Sequence, residues 1–118
     1  MADIERMEAA LAAVRAERHR QIAVEHRYPS GDDAAGVVTL MEAARAYIEE
    51  RPDLWPWDAE YYKPKGRRRD LERAGALVMA ACEVLCRQAE FGALSVAADI
   101  LDAVLAQLAP LLPVRVVE

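Results

Sequence analysis

The sequence predicts an all-α domain: a small bundle of four main helices with a long ordered loop between the second and third. Three observations point there. The 118 residues include 24 alanines and only 5 glycines, and alanine is the best helix former because it loses no side-chain entropy. Apolar residues recur at spacings of three and four along most of the chain, the period of a helix with one buried face. The exception is residues 51 to 68, where Pro52, Pro56, Pro64 and Gly66 interrupt any period. The length suits one domain, read here as 1–118.

The first helix is expected from about Ala2 to about His26, with Ile4, Met7, Leu11 and Val14 as a buried stripe. Beyond Val14 the stripe passes through Arg18, Gln21 and Glu25. Polar residues on an inward line imply either that the helix leaves the core there, with Ile22 taking over the packing, or that the three line a polar pocket. Tyr28-Pro29-Ser30-Gly31 is turn chemistry. Ser30 is expected to cap the second helix with Asp33 as its capping-box partner, and Asp32 and Asp33 suit the positive end of a helix dipole. That helix should run to about Glu50 on Val37, Leu40, Met41, Ala44, Tyr47 and Ile48, and stop at Arg51-Pro52 because the residue before proline avoids helical geometry.

The third helix is expected after an Asp70 cap, on Leu71, Ala74, Val78, Ala81 and Leu85. Gly75-Ala76 and Ala80-Ala81 are small enough to let a neighbouring helix approach closely. Glu90-Phe91-Gly92 reads as a break, and the fourth helix covers about Ala93 to Ala109. Leu94, Ala97, Leu101, Val104 and Leu108 make its stripe, and Val96, Ile100 and Leu105 widen it beyond what a small bundle needs. Residues 90–118 are therefore expected to serve as an oligomerisation element, with the fourth helix meeting a second chain in a homo-oligomer. The tail from Pro110 to Glu118 is expected to be extended and apolar.

The chain is acidic, at formal net charge -5. Its positive charge gathers in one place: six of the fifteen Lys and Arg (Lys63, Lys65, Arg67, Arg68, Arg69, Arg73) lie within eleven positions. One short patch in an acidic chain argues against duplex DNA, which needs a broad positive face. No basic, apolar N-terminal leader pattern is visible, and no run of eighteen apolar residues suggests a membrane span. Cys82 and Cys86, four apart in a helical pattern, read as reduced, buried thiols of a cytoplasmic protein, at a spacing that disfavours a disulfide.

The patch follows directly on four of the seven aromatic residues: Trp55, Trp57, Tyr61 and Tyr62. A long irregular connection in a small domain is usually functional or disordered, and rings argue against disorder because they pack. In the plain reading the rings cap the bundle and the cations are solvated. In the functional reading Trp55, Trp57 and Tyr61 wall a site for something planar. Lys63, Arg68 and Arg69 then hold its phosphate or carboxylate oxygens, with Arg18, Gln21 and Glu25 adding polar contacts. No cofactor is expected.

Two metal readings are weaker. Glu25, Asp32, Asp33 and Glu42 could converge on magnesium for phosphate hydrolysis, but capping already accounts for the Asp pair. His19 and His26 with Cys82 and Cys86 are zinc-type ligands, yet nothing sets their two helices in register. Neither Ser30 nor Ser95 sits in a nucleophile elbow.

Arg18-x-x-Gln21-x-x-x-Glu25, then Asp32-Asp33, Trp55-Pro56-Trp57, Lys63-Pro64, Arg68-Arg69-Asp70-Leu71 and Ala74-Gly75-Ala76-Leu77 resemble a widespread group of small proteins encoded by phages and prophages. The likeness covers about residues 15 to 88, within a matching core of 1–89. The chain departs from it at His26-Arg27-Tyr28, where the group commonly has Gly-Trp, and at Tyr61-Tyr62, where it often has Trp-Trp. The resemblance implies a viral or mobile-element origin and supplies no chemistry. By analogy with small phage proteins that act by occupancy, the first expectation is non-enzymatic sequestration of a small anionic, nucleotide-like ligand of host defence, in the bacterial cytoplasm. The second is an anti-CRISPR or other anti-defence protein that contacts a host defence protein directly. The third is a metal-dependent nucleotide hydrolase using the four carboxylates.

Overall fold

The computed structural model describes residues 2–113, and they are all-helical. Five α-helices occur among them: α1 (Ala2–Ala23), α2 (Pro29–Ala35), α3 (Val37–Ile48), α4 (Arg67–Arg87) and α5 (Phe91–Leu108). Single 3₁₀ turns stand at Pro52–Leu54, Ala59–Tyr61 and Ala109–Leu111. The last carries the buried Leu112 onto the core, so the tail expected to be extended from Pro110 begins instead in this turn; its residues 114–118 lie outside the described residues.

Helix α4 is the axis of the fold, packed by α1, α3 and α5. Its sequence permits that because Ala74, Gly75, Ala76, Ala80 and Ala81 keep its surface low on several sides. A Cβ placed on Gly75 would come within 2.6 Å of Val14 Cγ2 and 3.5 Å of Val104 Cγ1, so α1 and α5 both close on this glycine. Leu40, Tyr47, Leu77, Val78 and Val84 fill the space between α3 and α4. Ala10, Val14, Leu71, Val104 and Leu108 fill the space where α1, α4 and α5 meet.

Several expected boundaries move. The single second helix is two helices, because Gly36 (φ 85) takes a conformation outside the right-handed helix region that glycine alone adopts easily. Ser30 does not cap: Tyr28 holds the cap position without a side-chain bond, and Pro29 opens the first turn, where its missing N–H is harmless. Helix α4 begins four residues early, after Gly66 (φ 104). Asp70 lies inside its first turns and reaches back to accept the Lys65 N–H at 2.7 Å. Phe91 and Gly92 open α5 instead of breaking the chain.

Helix α1 stops at Ala23. His26 (φ 58) turns the chain, and the Arg27 N–H donates to the Gln21 carbonyl at 2.9 Å. Glu50 and Ala89 end α3 and α4 in the same left-handed conformation, so no glycine marks these ends in the sequence.

The apolar stripe of α1 is inward only from Ala10 onward. Ile4 and Met7, expected to be buried, are 54% and 37% exposed and line a shallow apolar groove with Leu11 and Leu105. Cys82 is half-buried and Cys86 exposed, both free, so the expectation of two buried thiols fails for Cys86, which sits near the end of α4 beyond its packed faces. Burial pushes the Cys82 thiol upward, as does Glu83 beside it.

By length and composition, Phe91–Leu111 is long and apolar enough to cross a membrane. No unbroken run of eighteen apolar residues occurs in it, because Asp99 and Asp102 interrupt it, but its average stays high. Here Ala97, Val104, Leu105 and Leu108 bury one side of α5 in the bundle.

Candidate functional site

The loop after α3 is tied down by its own rings. Trp55 packs edge-on against Tyr47 at 5.5 Å between centroids and against Trp57 at 5.1 Å. Tyr62 stacks on Tyr47 at 5.0 Å, and its hydroxyl donates to the Ala46 carbonyl at 3.1 Å. The Trp55 indole N–H donates to the Asp58 carbonyl at 3.1 Å and closes the turn. The start of α4 is pinned to the end of α3 by Arg67, which donates to the Ile48 carbonyl at 2.8 Å and to Gln107 at 2.8 Å. Part of the aromatic cluster is thus satellite core, as the plain reading expects.

The same loop also forms one wall of an open cleft of about 870 Å³, within the size range of small-molecule sites. Trp55, Pro56, Trp57 and Tyr61 line that wall, the buried Tyr47 and Leu77 also line the cleft, and Arg20, Gln21, Glu25 and Arg27 come from the end of α1 and just beyond. Lys63 and Arg73 complete it. Tyr61 is 56% exposed and meets no other ring among the described residues, so its face is free.

Two kinds of cation face this space. Arg20 is neutralised: it chelates the buried Glu17 at 2.7 and 3.0 Å and reaches Glu25 at 2.8 Å. The hydrogen bonds to Glu17 hold its guanidinium well above the ordinary value. Glu25 also accepts from Arg27 at 3.4 Å. Burial pushes the Glu25 carboxyl up, but the bond and charge of Arg20, with help from Arg27, outweigh it and the net shift is downward. Arg27 lies over the Trp57 ring, 4.6 Å from its centroid, a cation–π contact.

Lys63 and Arg73 differ. Neither has a carboxylate partner among the described residues. Arg73 Nη1 donates to the Lys63 carbonyl at 3.0 Å and lies 3.5 Å from the Tyr47 hydroxyl, while its buried Nε–H has no partner. With Asp58 on the rim, the lining holds four cations and two carboxylates, so it is positive in an acidic chain.

Of the residues expected from sequence, Gln21, Glu25, Trp55, Trp57, Tyr61 and Lys63 line the cleft, and Arg18, Arg68 and Arg69 do not. Arg18 is buried between α1, α2 and α4, where it donates to Asp32 at 2.5 Å, to Glu83 at 2.9 Å and to the Arg27 carbonyl at 3.4 Å. Burial works against its charge, and the two carboxylates more than restore it. Arg69 bridges Glu17 at 2.5 Å and Glu72 at 3.1 Å, and Arg68 is exposed beside Glu72 at 3.4 Å. The early start of α4 explains both: residues expected in the loop lie on the helix and turn toward α1 and solvent.

Sequence reasoning left out Arg20, Arg27, Tyr47 and Arg73. Arg73 belonged to the counted basic cluster, four residues beyond Arg69, and Tyr47 looked like ordinary core.

Three of the four acidic residues considered for magnesium are engaged by separate arginines. Glu25 serves Arg20 and Arg27, Asp32 serves Arg18, and Asp33 pairs with Arg87 at 2.8 Å. Among the described residues no three His, Cys, Asp or Glu gather to hold a metal. No protein-family model, curated protein or solved structure matches this chain.

Proposed function

We propose that the cleft binds a small anionic, nucleotide-like ligand and sequesters it without turnover. The observation that carries this is the pair Lys63 and Arg73, two cations without a carboxylate partner among the described residues, lining a cleft walled by indoles and a free phenol. Phosphate or carboxylate oxygens supply the missing counter-charge. A planar ring stacks on Tyr61 or slides against Trp57, and stacking of this kind contributes about 1–3 kcal/mol per base in single-strand binders. The likeness to phage-encoded proteins makes a nucleotide signal of host defence the natural cargo, in the bacterial cytoplasm.

A second reading, direct contact with a host defence protein, draws on another surface. Phe91 and Val96 are 63% and 61% exposed on α5. The same pair suits the homo-oligomer expected through this helix.

Calorimetry against cyclic and ADP-ribose-type nucleotides, with magnesium present and the nucleotide recovered afterwards, tests the proposal. Micromolar or tighter binding, intact nucleotide and loss of the heat in Arg73→Gln are expected. Silence across the panel contradicts binding, and magnesium-dependent turnover contradicts sequestration.

A further inference from the structure

Gln21 is the least accessible polar residue of the cleft. It is 3% exposed, sits two residues before the end of α1, and its Oε1 has no hydrogen-bond partner among the described residues. Its own carbonyl is engaged by the Arg27 N–H at 2.9 Å, which ties this stretch of backbone to the turn after α1. Leaving a buried acceptor unmade costs about 1–3 kcal/mol, and such groups in a native structure call for an explanation. Arg73, which also lines the cleft, carries the complementary defect, a buried Nε–H without an acceptor among the described residues. One orphan accepts and the other donates; both are covered by neighbouring side chains, so a ligand meets them only by turning those side chains aside.

Resting on the anion-binding reading above, we infer that Gln21 is the specificity-determining residue of the cleft: it accepts a hydrogen bond from an N–H on the edge of a ligand's heteroaromatic ring, while Arg73 donates to a lone pair of the same ligand. The ligand class is then a nucleobase, or a heterocycle with equivalent edge groups, joined to an anionic group. A simple aryl phosphate or a sugar phosphate satisfies the cations and leaves Gln21 unpaired. That difference provides discrimination, because a site built around a hydrogen bond penalises a ligand that lacks the partner.

Water can also reach an open cleft, and a test must separate the two. The probes are the four nucleoside 5′-monophosphates, phenyl phosphate and ribose 5-phosphate, each titrated into the full chain and read by tryptophan fluorescence and calorimetry. In the unaltered protein the best nucleoside monophosphate should bind at least about tenfold more tightly than phenyl phosphate. In Gln21→Met, which keeps the shape and removes the acceptor, that ratio should fall to near one while phenyl phosphate affinity stays. Gln21→Glu, which keeps an acceptor, should preserve the preference even if every phosphate binds more weakly. It also carries the test alone if Gln21→Met does not fold. Equal affinities in the unaltered protein, an unchanged ratio in Gln21→Met, or loss of the ratio in Gln21→Glu overturns the role of Gln21 and leaves the anion site standing. Failure of all the phosphates to bind removes the anion site and this inference together.

Discussion

Arg18 and Arg73 make opposite uses of the same side chain. Arg18 sits between α1, α2 and α4 with two carboxylates and a carbonyl around it, so its charge is spent inside the fold. Arg73 has a phenol and a carbonyl as neighbours of Nη1 and a buried Nε–H without a partner among the described residues, so its charge is left for the cleft that it lines. The contrast teaches that position in a basic cluster does not decide which arginine is available to a ligand. The supply of acids on the facing helix decides it: Glu83 and Asp32 meet Arg18, and Glu17 meets Arg69.

The largest expected effect breaks the saturated side. Arg18→Met should leave Asp32 buried and unpaired, at a cost of about 3–5 kcal/mol, seen as a lower denaturation midpoint in urea. A loss below about 1 kcal/mol would mean that the pair is solvated. The next effect separates structural from free rings. Trp55→Ala should destabilise by about 3 kcal/mol because Tyr47, Trp57 and Tyr62 pack on it. Tyr61→Ala should leave the midpoint unchanged and weaken ligand binding.

The smallest effect sharpens the contrast within the cleft. Glu25 has its folded pKa depressed. Its contribution to stability is present above the unfolded carboxylate range, near about 4.3, and disappears as pH falls through the lower folded value. Glu25→Gln should therefore reduce stability slightly at neutral pH and flatten the loss on acidification. It should also strengthen phosphate binding modestly, because Arg20 and Arg27 lose a shared counter-charge. A pH profile of the urea midpoint, paired with phosphate titrations, checks both.

Much of this architecture was legible in the residues. The small residues of α4 announced close packing, and Gly75 is where α1 and α5 converge on it. The cluster Trp55, Trp57, Tyr61 and Lys63 announced a wall with a cation beside it. The arginine partners were not legible, because Arg18 meets carboxylates 14 and 65 positions away and no local spacing encodes such pairs. Helix ends were also hidden. Three of them turn on His26, Glu50 and Ala89, residues that carry no left-handed signature of the kind glycine gives. With the true start of α4 hidden, the local pattern points Arg68 and Arg69 into the loop, whereas the helix carries them away and brings Arg73, a member of the same basic cluster, to the cleft.

The most direct measurement compares two double variants that remove the same charge. Lys63→Gln with Arg73→Gln empties the cleft of its unpaired cations; Lys65→Gln with Arg68→Gln removes two exposed cations that do not line it. Titrated with the tightest-binding nucleotide at one ionic strength, the first pair should lose affinity by about a hundredfold, as for two charge-assisted contacts. The second should lose no more than about twofold. Equal losses would show that only the general field of the basic segment attracts the ligand, and the cleft would no longer be its site.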